Sequence, residues 1–386
     1  MKNKYNFIKY TIIAALITTS ASAATDNIIK ISRIKMIQED FKLDLNLNEI
    51  SLEQKLNNAI ISGDINESKK ILMQDVNVNW ISDDGWTHLS SSIFHGRYEL
   101  IEILLNKGSN IEHRTKNGIT PLMLAISSNS TDITKLLLNN KSKVNVKDNM
   151  GLTPLILSAI NKNLEIAKLL LKNGANPNYQ SNLGETALII SSSNGDLGMM
   201  EELLSANSDP NIINNKNGSA LMYASSAGDQ IATKILLQNG ADINFSNHEG
   251  VSALELSIIY GNKKVYDVLV KHGADVNRKT EKQVTPIFFA ALFDRADIIE
   301  DLYKKGVDIN KIAPDGATPL IVAAYQGNSK SLTKLLKAGA NVKIKDHSRN
   351  TAKMYAKIKG HDDILNILNI YDQLKTKVNK NYHSDI

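Results

Sequence analysis

The residues that could do chemistry are present in number but not in constellation. Eight His are spread over the chain at 88, 95, 113, 248, 272, 347, 361 and 383, and no two stand at metal-ligand spacing. No HExxH, GxSxG, GxGxxG or phosphate-loop pattern occurs. Cysteine is absent, which removes disulfides and thiolate metal sites. Asp242, Asp275 and Asp308 recur 33 residues apart, and three carboxylates at one interval could suggest a cation site. Asp and Asn also bond their own backbone two residues on, so turn capping within each link is the simpler reading. The threonines of the recurrent "TPL" read as helix caps rather than nucleophiles. The expectation is no catalytic residue, no cofactor and no metal.

The recurrence itself is the stronger signal. Aligned on the glycine of "GxTPL", the register runs through Gly85, Gly118, Gly151, Gly184, Asn217, Gly250, Gln283, Gly316 and Arg349, each step 33 residues. A further unit upstream starts at Leu52, with Ala59 and Gly63 in register. A fixed period of this length marks a stacked repeat. Within each unit Thr can cap the first orphan amides, and Pro at the next position has no N–H to leave unpaired. Small residues at Ala125, Ser158, Ser191, Ala224, Ser257, Ala290 and Ala323 allow close helix approach. A glycine or a short polar stretch turns the chain, and an "LLL"-type second helix ends at glycines such as Gly174 and Gly240. Lys141 and Asn207 stand where that terminal glycine is wanted, so softening is expected near 140–145 and 205–219.

The 33-residue period, the "TPL" start, the "LL..GA(D/N)xN" ending and the polar link resemble the ankyrin repeat over roughly residues 51–371. That resemblance implies an all-α solenoid of about ten helix-turn-helix units with β-hairpin-like finger loops. It also implies protein binding through finger tips and the exposed side of the first helix. One feature departs from the family: its usual His after "TPL" is replaced by Ser90, Met123, Ile156, Ile189, Met222, Glu255, Phe288, Ile321 and Met354. Apolar packing is expected to take its place in most units.

Outside the array, residues 1–23 join Lys2, Lys4 and Lys9 to the apolar run "YTIIAALITT" and a small-residue "ASA". This reads as a Sec-type signal peptide of bacterial style; the run is short for a membrane anchor. Export to the periplasm or outside the cell is expected, with no membrane span after cleavage. Removing these three Lys lowers the net charge from +5 to +2. The remaining Lys are interleaved with acids, which argues against nucleic acid. Residues 24–50 read as an amphipathic helix and linker that caps the array or binds a partner, and residues 372–386 as a flexible polar tail.

Placed on the resemblance, two aromatic clusters are candidate partner-binding surfaces on a monomeric chain. Trp86, Phe94 and His95 form one; Val251, Tyr260, Val284, Phe293 and Tyr325 form the other. Exposed aromatics are enriched at interaction hot spots, although such rings can also fold down as core. The functional expectation is a non-catalytic protein-protein interaction module. The alternatives are an inhibitor or immunity-like partner of a periplasmic enzyme, and a secreted effector acting on a host protein.

Overall fold

The computed structural model describes residues 50–384, with side chains through Lys375. The expected signal peptide and nearly all of the 24–50 segment lie outside the described residues. Among the described residues there are twenty helices and no strand longer than an isolated bridge. They divide into two compact units that meet at Ala220 and Leu221.

The first unit holds α1 (Leu52–Ser62), α2 (Ile65–Leu72), α3 (His88–Phe94), α4 (Tyr98–Asn106), α5 (Pro121–Ser127), α6 (Thr131–Asn139), α7 (Pro154–Ile160), α8 (Leu164–Lys172), α9 (Ala187–Asn194) and α10 (Leu197–Ser205). Each odd-numbered helix packs on the next odd one, and α6, α8 and α10 do the same in a second layer. The second unit holds α11 (Ala220–Ala227), α12 (Gln230–Gln238), α13 (Ala253–Tyr260), α14 (Lys263–Lys271), α15 (Pro286–Leu292), α16 (Ala296–Lys304), α17 (Pro319–Gln326), α18 (Ser329–Lys337), α19 (Ala352–Lys359) and α20 (Asp362–Ser384). There α13, α15, α17 and α19 stack in turn, and α16, α18 and α20 follow behind them. Both units are thus built as an all-α ankyrin-repeat solenoid, as the periodicity requires.

The local chemistry explains the helix starts. Thr87, Thr120, Thr153, Thr186, Thr318 and Thr351 each accept at Oγ1 from the backbone N–H three residues on. Pro121, Pro154, Pro286 and Pro319 fill the next position. The capping box expected from Ser51 and Gln54 forms in both directions. Asp242, Asp275 and Asp308 each accept at Oδ1 from the N–H two residues on, the turn capping read from the sequence.

Links between layers are polar and periodic. Asn149, Asn182 and Asn215 each donate a backbone N–H and a side-chain amide to carbonyls of the preceding finger. That close approach explains the register glycine. A Cβ on Gly151 would lie 2.6 Å from the backbone nitrogen of Asn182. At the loop between helices, Arg97 donates to the carbonyls of Ile60 and Ile61, and Arg295 to those of Ile258 and Ile259. Asn262 and Asn328 make the same two-carbonyl clamp from the equivalent position.

Left-handed backbone falls at three places in the repeat. Lys141 (φ 64°) and Asn207 (φ 63°) adopt it where glycine was wanted. So do Asn129, Lys162 and Asp294 between helices, and Asn217, Gln283 and Arg349 at the register position. The strain is therefore spread along the chain and is not confined to the two weak links read from the sequence.

The ends are polar where the middle is apolar. Lys353 and Lys357 occupy the slots of Leu320 and Ala324, which are buried one layer earlier. Lys353 is exposed enough to pair with Asp372 at 3.2 Å. Lys55 is exposed in the first layer where Pro121 is buried. Among the described residues no further layer covers these slots, and they carry charge. The last helix, α20, runs unbroken across residue 371 to Ser384.

Candidate protein-interaction face

Both candidate clusters lie on first helices and their incoming fingers, each within one unit. Trp86 and Val251, offered as partner-binding residues, are the first residues after their register glycines, and the structure corrects their expected exposure. Trp86 is 3 % exposed and Val251 0 %, and Ile119, Leu152 and Ala317 are buried as well. The reason is the finger's closure. Backbone N–H groups at Ser82, Thr115, Asp148 and Asn247 bond the carbonyls of Trp86, Ile119, Leu152 and Val251. This places the tip two residues earlier and turns these side chains onto the helix starts. Val284 is the half-buried exception among the chosen fingers.

The helix positions fare differently. Phe94 and His95 are half-buried; Phe94 sits edge-on to Trp86 (5.5 Å between ring centres) and to His95 (5.2 Å). The first cluster is thus brought together, with Trp86 as its floor. In the second, Tyr260, Phe293 and Tyr325 are half-buried at the ends of α13, α15 and α17. Tyr325 meets Tyr355 edge-to-face at 5.5 Å, and the Lys359 ammonium lies 4.1 Å from the Tyr325 ring centre.

Two residues missed by the sequence reading extend this face. Ile358, one repeat after Tyr325, is 64 % exposed, and Met354, one turn earlier on α19, is 47 % exposed. The period alone would have found Ile358, but the reading stopped at the last aromatic. Met354 also departs from the expected apolar packing after "TPL", whereas Met123, Ile156, Ile189, Met222, Phe288 and Ile321 meet it by being buried.

Glu255 is the other departure at that slot. Its side chain is 0 % exposed and closes a capping box with Ser252, whose N–H donates to Oε2 at 2.8 Å. Arg278 Nε lies 4.0 Å from Oε1. Burial pushes this carboxyl above the usual range, against the pull of Arg278. His88 is the buried base of the first unit. Its ring stacks on Trp80, and Nε2 lies 2.9 Å from the Glu53 carbonyl. Burial holds its pKa below the ordinary value. Both groups are fully enclosed and belong to packing.

Among the described residues, no three His, Asp or Glu side chains are grouped to hold a metal ion, and no helix is long and apolar enough to cross a membrane. A search of curated proteins finds no match. The family model described as "Ankyrin repeats (3 copies)" matches residues 108–181, 140–214, 187–280 and 287–381, well over half of the chain. Ankyrin repeats generally mediate protein-protein interaction and are typically non-catalytic. On its period, its caps, its stacked helix pairs and this match, the chain belongs to the ankyrin-repeat family.

Proposed function

We propose that this chain is an exported, non-catalytic binding module that holds one protein partner against the first-helix face of its second unit. The observation that carries this reading is the row of half-exposed rings at Tyr260, Phe293 and Tyr325. Interior stability does not require aromatic side chains there, because the same slots in the 187–227 stretch hold Ser193, Asn194, Ser226 and Ala227. Partly exposed aromatic groups in a row supply large contact area at low entropic cost. Export rests on residues 1–23, whose basic start, apolar run and "ASA" are read from sequence. The chain is taken as a monomer, in a periplasmic or secreted setting, with no nucleic acid and no membrane span.

Capture from periplasmic and host-cell extracts tests this, with the wild-type chain beside the Tyr260→Ser/Phe293→Ser/Tyr325→Ser variant. A protein held by the first and released by the second, with helicity unchanged, is the expected result. Equal capture by both would move the site to the fingers or the first cluster. If the captured protein is an enzyme that loses activity in the complex, the module is an inhibitor rather than a scaffold.

A further inference from the structure

We infer that the open side of the last described layer docks on an anionic lipid surface. The inference stands apart from the protein-binding reading, because it uses other residues and another kind of partner.

Four cations stand in slots that face the following layer. Lys353 takes the position of Leu221, Leu254, Ile287 and Leu320, all buried in their own layers. Lys357 takes that of Ile258, Ala291 and Ala324, which are buried as well. Lys345 stands where Lys147 reaches the Gln180 carbonyl one layer on, at 2.8 Å. Arg349 stands in the slot of Gly316, where a Cβ would lie 2.7 Å from the backbone nitrogen of His347 in the next layer. All four are exposed, and among the described residues no further layer covers them. Asp372 pairs with Lys353 at 3.2 Å. Asp346, the acid of the adjoining finger, already accepts from the Tyr355 hydroxyl and the Asn350 N–H.

Contact with water explains polarity there but not its sign. The first described layer is polar too, with Lys55, Asn58 and Glu67 where later layers bury Pro121, Leu124 and Leu100. Glu67 pairs with Lys70 at 3.6 Å, so that layer mixes its charges. The last layer uses one sign. Residues 330–375 carry ten Lys and Arg against four Asp, whereas residues 24–329 carry 30 Lys and Arg against 35 Asp and Glu. The basic character is local to this end of the sequence and not a property of the whole chain.

The neighbours of the cations select the kind of anion. Met354 and Ile358 stand beside Lys353 and Lys357 on α19 and are 47 % and 64 % exposed. Cations interleaved with single alkyl groups match the boundary of an anionic bilayer, where ammonium groups meet headgroup phosphates and alkyl groups enter the acyl edge. Duplex nucleic acid would use the cations and leave the alkyl groups in water. A single strand would want a ring to stack on, but Tyr355 is buried and the Lys359 ammonium lies over the Tyr325 ring. Three of the four cations are Lys, point charges on flexible stems. They suit a diffuse negative potential better than the forked recognition of one carboxylate.

Co-sedimentation with phosphatidylcholine vesicles, with and without phosphatidylglycerol, tests the inference. The full chain is compared with Lys345→Gln/Arg349→Asn/Lys357→Gln and with a charge-matched control, Lys107→Gln/Lys172→Gln/Lys234→Gln, which removes three exposed Lys elsewhere. Residues 1–23 are common to all three, so their contribution cancels. Wild type and control are expected to bind the anionic vesicles at least about tenfold tighter than the neutral ones, and the first variant to lose most of that difference. Added salt should weaken wild type more than that variant. Lys345→Arg/Lys357→Arg should bind like wild type, and Ile358→Ser should weaken anionic binding several-fold, each with unchanged helicity. A triple variant that binds like wild type, or a control that loses as much as the triple variant, would overturn the inference. So would tighter binding of duplex DNA or polyglutamate to the same cations at equal charge.

Discussion

At Glu255 a single residue sets local stability against pH. The carboxyl is enclosed and its Oε1 has no hydrogen-bond partner, while Oε2 closes the capping box. Its folded pKa lies above the usual carboxylate range because burial penalises the charged form. The folded state therefore holds the proton more tightly than the unfolded state. The contribution is fully present below the unfolded pKa and is lost as pH rises through the folded one. Glu255→Gln keeps an acceptor for the Ser252 N–H and removes the titration. Thermal melts should show the variant more stable than wild type at pH 7–8, with the gap closing toward pH 4. A gap that widens in acid would mean that Arg278 dominates and the carboxylate is stabilising. The departure at this slot was visible in the sequence. Its consequence was not, because burial depends on the neighbouring layers.

Among the elements, the loop between paired helices decides how firmly one layer holds the next. Arg295 spends both its Nε and an Nη on the carbonyls of Ile258 and Ile259, at 3.0 and 2.7 Å. These carbonyls sit in the last turn of α13, where helix donors run out, and that of Ile258 also accepts from the Gly261 N–H. Bonds from a charged donor contribute about 1.5–3 kcal/mol each at best, less where water competes. Arg295→Ala should cost about 1–3 kcal/mol in denaturant unfolding, and Arg295→Asn should recover part of it, because Asn262 and Asn328 make the same clamp. No loss in the alanine variant would show that the clamp follows from stacking rather than supporting it. At two layers the equivalent residue is Asp196 or Asp229, which accepts from its own helix instead. The helix starts, their caps and their ends were legible because Thr, Pro and Gly act locally. The clamp was not, because donor and acceptor are 36 or 37 residues apart in the chain.

For the molecule as a whole, the two units repeat one solution to burying thin apolar layers, and residues 1–23 lie outside it. If residues 1–23 are removed on export, protein recovered from the periplasm or culture fluid should begin at Ala24 by intact mass. Recovery of the uncleaved chain in a membrane fraction would make those residues an anchor. The outer slots of the first and last described layers carry Lys55, Lys353 and Lys357. They leave Ile358 and Met354 as exposed apolar groups on the last first-helix, beside the row of rings.

The amino-acid sequence by itself determined the period, the helix pairs and the all-α stack, because each rests on residue types at fixed short spacing. It also selected Tyr260 and Phe293, which share one register slot, and Tyr325 in the slot beside it. Only the tertiary structure decided which of the chosen residues can be touched. Trp86 and Val251 were chosen as finger residues, yet the finger's closing hydrogen bonds turn them inward. Ile358 was passed over, yet it is exposed, with no following layer over it among the described residues. Exposure depends on the layer before and the layer after, and a spacing rule applied within one unit carries no information about either.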